Sequence, residues 1–244
     1  MGKWYSGRVI QQLKLGFVNA FLVRGTKAIL VDSGTPGQAD RILRAAGRGG
    51  VSLDDIAAII HTHGHFDHCG STAELRRRAA MKVAIHVGDA DKLRSGRAAL
   101  PHSTSLMARA VLAFVNTSFE PVEPDVLLNE GFDLRQFGLA ATIVPTPGHT
   151  AGSVSVLFHS GEVIVGDLLF GGFLGGKLLP TWPRYPALAD DYDQVRASVE
   201  KLLGLGARRF YLGHGGPLDY KQVLIHLSLR VPRLTHPAGA PASI

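Results

Sequence analysis

Cysteine is almost absent from this 244-residue chain, which contains only Cys69. A lone cysteine cannot form an internal disulfide, so the fold cannot depend on an oxidising environment. A metal site built from cysteines alone is excluded for the same reason. Any metal ion that the chain binds must therefore be held by histidine and carboxylate side chains.

Long hydrophobic runs are also missing. No segment approaches the roughly 20 uncharged apolar residues that a membrane-spanning helix needs. The start of the chain, MGKWYSGRVIQQLK, lacks the apolar segment of a signal peptide. We therefore expect a cytoplasmic protein without a membrane partner.

A concentrated basic surface is missing too, although the formal net charge is +6. The basic residues are scattered, and their one tight cluster, at residues 76–78, is typical of a solvated helix face. We expect no nucleic-acid partner. The excess of positive charge favours a small anionic substrate instead, and we expect a monomer or a homodimer.

Apolar sequence is plentiful, since 45% of the residues are hydrophobic. Apolar runs predict strands at residues 17–23, 28–31, 57–60, 82–85, 141–144, 153–158, 162–165 and 208–212. Helical periodicity predicts helices at residues 37–46, 71–80, 193–203 and 220–229. This order predicts an α/β (α+β) fold of two sheets with helices on their outer faces, because strands this apolar need cover on both sides.

Residues 1–233 are predicted to form one domain, and residues 234–244 a disordered tail. Residues 88–125 are predicted to form a helical insertion between the strands, with a helix over residues 103–115. Residues 171–186 are rich in glycine and proline and look too irregular for a helix or a strand. We therefore predict that they form an active-site loop.

The strongest chemical signal is the motif THGHFDH at residues 62–68, directly after the apolar run AAII. Packing alone does not explain four potential ligands within six residues, because a buried imidazole or carboxylate without a partner is costly. Residues two apart at a strand end point the same way, so His63 and His65 can converge on one ion. Asp67 and His68, on the following turn, can face a second ion.

Three further motifs follow predicted strands in the same way. TPGHT presents His149 on a tight turn, GD presents Asp167 beside a small glycine, and LGHGG presents His214. Two ions need more ligands than one loop supplies, and these motifs provide them.

THGHFDH, TPGHTAGS, GDLLF and GHGG in this order resemble the metal-binding motifs of the metallo-β-lactamase superfamily, with the glyoxalase II-like branch most similar. The segment GFVNAFLVRGTKAILVDSG resembles the first hairpin of that family, so the likeness runs from about residue 8 to residue 220. The resemblance implies a four-layer αββα sandwich of two mixed sheets, with the site at one edge of the two sheets.

The resemblance also implies which residues hold two divalent metal ions. His63, His65 and His149 would hold the first ion, and Asp67, His68 and His214 the second. Asp167 would bridge the two ions. Histidine and carboxylate ligation suits zinc and also admits iron or manganese.

Other polar residues near these motifs are expected to have structural roles. His61 alternates with His63 and His65 and could be a ligand in a different frame, but only the frame from His63 uses Asp67 and His68. Asp32 is expected to hydrogen-bond to the metal-binding loop, and Cys69 to be a packed side chain. The remaining histidines have no partner motif and are expected to lie outside the site, at positions 86, 102, 159, 226 and 236.

The implied activity is that of a metal-dependent hydrolase. Two ions about 3.5–4 Å apart would lower the pKa of a shared water towards about 7 and give a hydroxide nucleophile. Asp67 could also act as a catalytic acid or base. A thioester of the hydroxyacylglutathione type is the first expectation for the substrate, although only thirty residues follow His214, fewer than in glyoxalase II.

Alternative activities remain open at this point. They are a lactonase of the acyl-homoserine lactone type, a β-lactamase, a persulfide dioxygenase, an RNA-processing nuclease and a non-catalytic binding protein on the same fold. For substrate binding we predict apolar and cationic residues of the 171–186 region and its neighbours, namely Phe170, Phe173, Lys177, Trp182, Arg184 and Tyr185.

Overall fold

Two β-sheets form the centre of the protein in a computed structural model that describes residues 10–98 and 116–227. The first sheet contains, in spatial order, β1 (Ile10–Lys14), β2 (Asn19–Arg24), β3 (Ala28–Val31), β4 (Ile56–Ile60), β5 (Lys82–His86) and β6 (Val126–Leu128). Strands β1 to β3 pair antiparallel, whereas β3 to β6 pair in parallel. The parallel part carries the most continuous apolar sequence because both of its faces are covered.

The second sheet is built from the other half of the chain. It contains β7 (Ala141–Pro145), β8 (Val154–Phe158), β9 (Glu162–Ile164), β12 (Arg209–Tyr211) and β13 (Leu218–Asp219), in the spatial order β13, β12, β9, β8, β7. β12 pairs in parallel with β9, and the other neighbouring strands are antiparallel. Between β9 and β12 the chain forms a separate antiparallel hairpin of β10 (Phe170–Phe173) and β11 (Leu178–Arg184).

Helices cover the outer face of each sheet. They are α1 (Ala39–Arg48), α2 (Phe66–Cys69), α3 (Thr72–Arg78), α4 (Ala90–Ser95), α5 (Tyr192–Gly204) and α6 (Tyr220–His226). Helix α1 buries Ala39, Ile42 and Ala46 at helical spacing against the first sheet. Helix α5 buries Val195 and Val199 in the same way against the second sheet.

The inner core lies between the two sheets. It joins side chains such as Phe21 and Ile60 of the first sheet to Ile143 and Ile164 of the second, all of them fully buried. Replacing one of these residues with alanine would lower the free energy of unfolding by about 2–5 kcal/mol, because the surrounding side chains fill the cavity only partly. The four layers are therefore helix, sheet, sheet and helix, and the predicted αββα sandwich of two mixed sheets is confirmed.

The prediction of an irregular loop over residues 171–186 is wrong. Most of that segment forms the β10–β11 hairpin, in which Gly171 pairs with Pro183. Pro180 and Pro183 interrupt the sequence pattern that is typical of a strand. Proline is tolerated here because β11 is an edge strand of a two-stranded sheet. The short strands β1, β6 and β13 were not predicted either.

The predicted helix over residues 103–115 and the predicted disordered tail at residues 234–244 lie outside the described residues. Within the described ranges, no helix is both long enough and apolar enough to cross a membrane.

Candidate metal centre

The four sequence motifs meet at one edge of the two sheets. Each motif lies just beyond the end of a strand, namely β4, β7, β9 and β12. Strand ends of both sheets approach one another at this edge. The backbone N–H of Val154, at the start of β8, donates to the carbonyl oxygen of Thr62 beyond β4 at 2.8 Å, which joins the sheets there.

The first group of side chains consists of His63, His65 and His149, and their ring nitrogens lie within 4.8 Å of one another. Nδ1 of His65 lies 3.0 Å from Nε2 of His149. All three residues are buried. Three buried imidazoles that turn nitrogen atoms towards a common point have the geometry of one side of a metal site.

The second group consists of Asp67, His68 and His214, whose ligand atoms also lie within 4.8 Å of one another. Nε2 of His214 is 3.4 Å from Oδ2 of Asp67, and Nε2 of His68 is 4.0 Å from the same oxygen. Asp67 is supplied by helix α2 and His214 by the turn after β12.

Asp167 lies between the two groups. Its Oδ2 is 3.6 Å from Nε2 of His149 in the first group and 3.3 Å from Nε2 of His214 in the second. Its Oδ1 is 3.2 Å from Nε2 of His68. One carboxylate therefore contacts ligand atoms of both groups, and the structure brings together all seven residues that the sequence predicted as ligands.

Three of these histidines are oriented by a hydrogen bond from Nδ1 to a carbonyl or carboxylate oxygen. His68 donates to Oδ2 of Asp32 at 2.8 Å, His149 to the carbonyl oxygen of Leu188 at 2.8 Å, and His214 to the carbonyl oxygen of Phe17 at 2.6 Å. Carbonyl and carboxylate oxygens only accept, so each Nδ1 carries a proton. The lone pair of each neutral ring is then on Nε2, the atom that faces the cluster.

His63 is fixed through a hydroxyl. Oγ1 of Thr62 donates to Oδ2 of Asp32 at 2.7 Å and lies 3.1 Å from Nδ1 of His63. Because the threonine proton is used on Asp32, the threonine oxygen accepts from Nδ1 of His63. The lone pair of the neutral His63 ring is then on Nε2, which has no hydrogen-bond partner.

The cluster contains buried polar atoms without hydrogen-bond partners, and this supports a metal. They are Nε2 of His63, of His65 and of His68, together with Oδ1 of Asp167. Nε2 of His68 and Oδ1 of Asp167 lie 3.2 Å apart, but their relative orientation is not that of a hydrogen bond. Unpaired buried groups are costly, and divalent ions would satisfy Nε2 of His63, Nε2 of His68 and Oδ1 of Asp167, whereas on His65 the nitrogen that lies towards the other ligands is Nδ1. The residues therefore fit such ions.

The electrostatics differ between the two groups. Burial lowers the pKa of His63 well below its usual value, and the neighbouring His68 lowers it further. Burial and His149 lower the pKa of His65 to about 3. Burial also lowers the pKa of His149, against the opposing effect of Asp167. The first group is therefore neutral at pH 7 and ready to coordinate.

The second group is charged when no ion is bound. Burial opposes a charge on His214, but the carboxylates of Asp167 and Asp67 outweigh burial and raise the pKa of His214 to about 10. The pKa of His68 is raised well above its usual value, because Asp167 and Asp32 outweigh burial. Both imidazoles thus carry a proton that an ion must displace.

Two glycines make room for this arrangement. A Cβ on Gly213 would lie 2.2 Å from Oδ1 of Asp167 and 2.7 Å from Cε1 of His68. A Cβ on Gly166 would lie 2.4 Å from Oγ1 of Thr62, and Gly166 has φ 54°. Any side chain at either position would push the loops of the cluster apart.

Asp32 and His61 lie directly behind the metal-binding loop. In addition to His68, Asp32 accepts hydrogen bonds from the backbone N–H and the hydroxyl of Thr62. His61 lies away from the cluster, with Nε2 2.9 Å from Oγ1 of Thr72. Cys69 is buried, and its thiol donates to the carbonyl oxygen of His63.

The other histidines do not join the cluster. His86 accepts a hydrogen bond from the backbone of Gly88, His159 is exposed, and His226 packs against Trp182 with ring centroids 4.4 Å apart. His102 and His236 are outside the described residues.

The basic cluster at residues 76–78 is neutralised by acidic partners. Arg76 pairs with Asp125 at 3.1 Å, Arg77 pairs with Glu120, and Arg78 pairs with Asp40 and Glu74. The charges of this helix face are therefore matched within the protein.

The sequence analysis missed Asp89. This carboxylate is 1% exposed and accepts hydrogen bonds from the N–H of Gly64 at 2.8 Å and from Oγ1 of Thr150 at 2.7 Å, and its other oxygen pairs with Lys92 at 2.8 Å. It connects the loop that carries His63 and His65 to the turn that carries His149. Its position after β5, at the edge where the parallel strands end, was the available signal.

The predicted substrate-binding residues are divided between two locations. Phe170 lies at the cluster, with its ring 4.6 Å from that of His214, and Lys177 is exposed near the hairpin tip. The guanidinium of Arg184 lies 4.1 Å from the ring centroid of Phe173. Trp182 and Tyr185 pack farther away, on His226 and on the outer core of the second sheet.

Phe17 contributes a second aromatic ring to the cluster edge. It stacks on His214 at 5.9 Å, with an interplanar angle of 4°. Its carbonyl oxygen also orients that histidine. No sequence pattern indicates this role, because Phe17 begins an apolar run that predicts a strand.

An αββα sandwich with a histidine and aspartate cluster at its sheet edge defines a metal-dependent hydrolase. The family model described as metallo-beta-lactamase superfamily matches residues 13–214, and the chain belongs to this superfamily.

Individual relatives agree with the family. The chain is 29% identical over 202 residues to a protein named "probable metallo-hydrolase" from Methanocaldococcus jannaschii, covering 81% of this chain and 87% of the relative. It is 34% identical over 149 residues to a hydroxyacylglutathione hydrolase from Anaeromyxobacter dehalogenans, covering 61% of this chain but only 44% of that enzyme. A crystal structure described as a di-iron-bound form is 27% identical with a TM-score of 0.63, covering 90% of this chain and 95% of that chain.

Proposed function

We propose that the chain binds two divalent metal ions and hydrolyses a small thioester. One ion would be held by His63, His65 and His149, the other by Asp67, His68 and His214, and Asp167 would contact both. The observation that carries the proposal is the position of Asp167, whose two oxygens lie 3.2–3.6 Å from histidine nitrogens of both groups. A single-ion site would not need a carboxylate between two sets of ligands.

The donor set suits zinc and also admits iron or manganese, and a structural relative was solved in a di-iron-bound form. When bound, a pair of such ions supplies a nucleophile from water near neutral pH and polarises the carbonyl oxygen of the substrate.

The protein residues would position the reaction and move protons. Asp67 is the most exposed of the seven, with a side-chain exposure of 12% compared with 5–6% for Asp167 and His214. We therefore assign to Asp67 the transfer of a proton to the leaving thiol. The rings of Phe17 and Phe170 contact His214 and would form an apolar wall beside the bound substrate.

The proposal of a thioester substrate is supported by relatives that are named hydroxyacylglutathione hydrolase. The match covers 44% of the length of one of them, so the proposal concerns the thioester bond and leaves the thiol portion open. Of the predicted substrate residues, Phe170 contacts the cluster directly. The positive charges of Lys177 and Arg184, on the same hairpin, would favour an anionic substrate. A nucleic-acid substrate is disfavoured because the charges at residues 76–78 are paired.

The test is metal analysis followed by a substrate panel of thioesters, lactones, β-lactams and phosphodiesters. We expect about two ions per chain, loss of activity on chelation, and the highest kcat/KM with a thioester. His63→Gln should lose metal and activity together, whereas His159→Gln, at an exposed histidine outside the cluster, should retain both. A single ion per chain in the wild type, or a preference for phosphodiesters, would overturn the proposal.

A further inference from the structure

The β10–β11 hairpin exposes a group of large apolar side chains, which we call the hairpin patch. Its members are Phe173 (41% exposed), Leu174 (76%), Leu178 (53%), Leu179 (55%) and Trp182 (48%). Isolated exposed apolar residues are common, but several on one short hairpin point to a binding surface.

Two of these residues have a strained backbone. Leu174 and Leu179 adopt left-handed conformations, with φ 53° and φ 50°. This region suits glycine and asparagine but is unfavourable for leucine, whose Cβ crowds the backbone. Neither leucine is buried, so core packing does not compensate for the strain. Strain of this kind collects at functional sites, where the side chain is needed in a set position.

The hairpin patch is continuous with the metal centre. The N–H of Gly171 donates to the carbonyl oxygen of His214 at 2.8 Å. The tip of the hairpin contacts Phe17, since a Cβ on Gly175 would lie 2.5 Å from Cβ of Phe17. Because the ring of Phe17 stacks on His214, the apolar surface begins at a residue of the cluster itself.

The ligand beside the hairpin, His214, is among the more exposed residues of the cluster. The side chains of Asp67 and His214 are 12% and 6% exposed, whereas that of His68 is 0% and that of His149 is 3% exposed. A substrate would therefore approach past His214, where the hairpin lies.

We propose that the hairpin patch holds the aliphatic acyl chain of the substrate, with Leu174 and Leu179 as specificity-determining residues. This inference rests on the proposed function and adds a substrate class to it, thioesters of medium-length apolar acids. The patch favours an acyl chain over a second copy of this protein because its apolar surface leads directly to the hydrolytic centre.

The experiment compares thioesters of N-acetylcysteamine that carry acetyl, butanoyl, hexanoyl and octanoyl groups, with the metal-loaded full chain. For the wild type we expect kcat/KM to rise about two- to fourfold per added methylene, the value for apolar burial. Leu174→Asn and Leu179→Asn should each lower the octanoyl-to-acetyl ratio of kcat/KM at least fivefold. Both variants should keep or raise Tm, since asparagine tolerates the left-handed conformation.

The control is Leu205→Asn, which changes an exposed leucine at the end of α5, outside the hairpin. Its octanoyl-to-acetyl ratio should match the wild type. A wild type that cleaves the acetyl thioester with no dependence on chain length overturns this inference and leaves the proposed function standing. A wild type that cleaves none of the panel overturns the proposed function, and the inference with it.

A second copy of the chain is the competing occupant. Sedimentation of the same variants decides this point: if Leu174→Asn converts a dimer to a monomer without changing the octanoyl-to-acetyl ratio, the hairpin patch is an interface between copies and the inference is wrong.

Discussion

Asp32 and His68 form a fully buried pair, with Oδ2 of the carboxylate 2.8 Å from Nδ1 of the imidazole. Asp32 has φ 61°, a conformation that aspartate tolerates better than most residues because its short side chain can bond locally. The backbone turn and the carboxylate together place His68 with Nε2 towards the cluster. Burial raises the pKa of Asp32, but His68 and His61 outweigh it and lower the pKa, so the carboxylate is charged.

Replacing Asp32 should weaken metal binding without removing a ligand. Asp32→Asn keeps the left-handed conformation but cannot accept from Thr62 and His68 with two charged oxygens. We expect metal affinity to fall about 10- to 100-fold, as for other residues that orient metal ligands. Competition with a chelator measures it. Asp125→Asn is the control, since this partly buried carboxylate accepts a hydrogen bond from Val83 at the start of β5. Equal metal affinities in the two variants would contradict the role of Asp32.

Replacing Asp167 should lower metal content and abolish activity together. Asp167→Ala leaves His68 and His214 without the carboxylate that lies between the two groups, so bound metal should fall from about two ions per chain towards one and turnover should be lost. Asp219→Ala, which removes a helix cap of α6 and costs about 1 kcal/mol, should keep both ions. Full activity in Asp167→Ala would exclude a bridging role.

The two groups should differ in the protons that they release. In the chelated protein His214, with its pKa raised to about 10, and His68, with its pKa raised, are protonated at pH 7, whereas the first group is neutral. Because a coordinated imidazole must be neutral, the first ion should bind with little proton release and the second with release of about two protons. Calorimetry at pH 7 in buffers of different ionisation enthalpy measures this, and equal release in both steps would contradict it.

The same charges set the stability of the chelated protein. The folded pKa of His214 lies above its unfolded value of 6.5, so its stabilisation is complete below pH 6.5 and is lost as pH rises towards 10. Chelated wild type should therefore lose Tm between pH 7 and pH 10. The metal-loaded protein, whose His214 is neutral, should lose less over this range, and parallel curves for the two forms would refute the assignment.

Much of this architecture could be predicted from sequence, and particular residues show why. The apolar run of β4 and the motif that follows it identified His63, His65, Asp67 and His68, because few other arrangements explain so many polar groups beside a buried strand. The hairpin could not be predicted, since Pro180 and Pro183 hide its strand pattern. The position of Asp89 after β5 was a weak signal, and its role was missed because that role arises from the approach of two loops distant in sequence.

Asp89 gives the last prediction. Burial raises its pKa, but Lys92 and hydrogen bonds from Thr150 and Gly64 outweigh burial and lower it below 3.8. The stabilisation is therefore present above pH 3.8 and lost as pH falls through the folded pKa. Asp89→Asn should destabilise the chelated protein by about 2–4 kcal/mol at pH 7, because buried donors and Lys92 lose a charged partner.

The difference in unfolding free energy between wild type and Asp89→Asn should shrink as pH falls below 3.8 and through the folded pKa of Asp89, where the wild-type carboxylate gains a proton. Urea unfolding at several pH values measures it. Asp91→Asn, two residues along in helix α4, is the matched control, since the Asp91 side chain is 97% exposed and pairs with Arg94 at 3.1 Å. An exposed pair contributes about 0–1 kcal/mol. If both variants lose the same small amount, Asp89 does not hold the two ligand loops together.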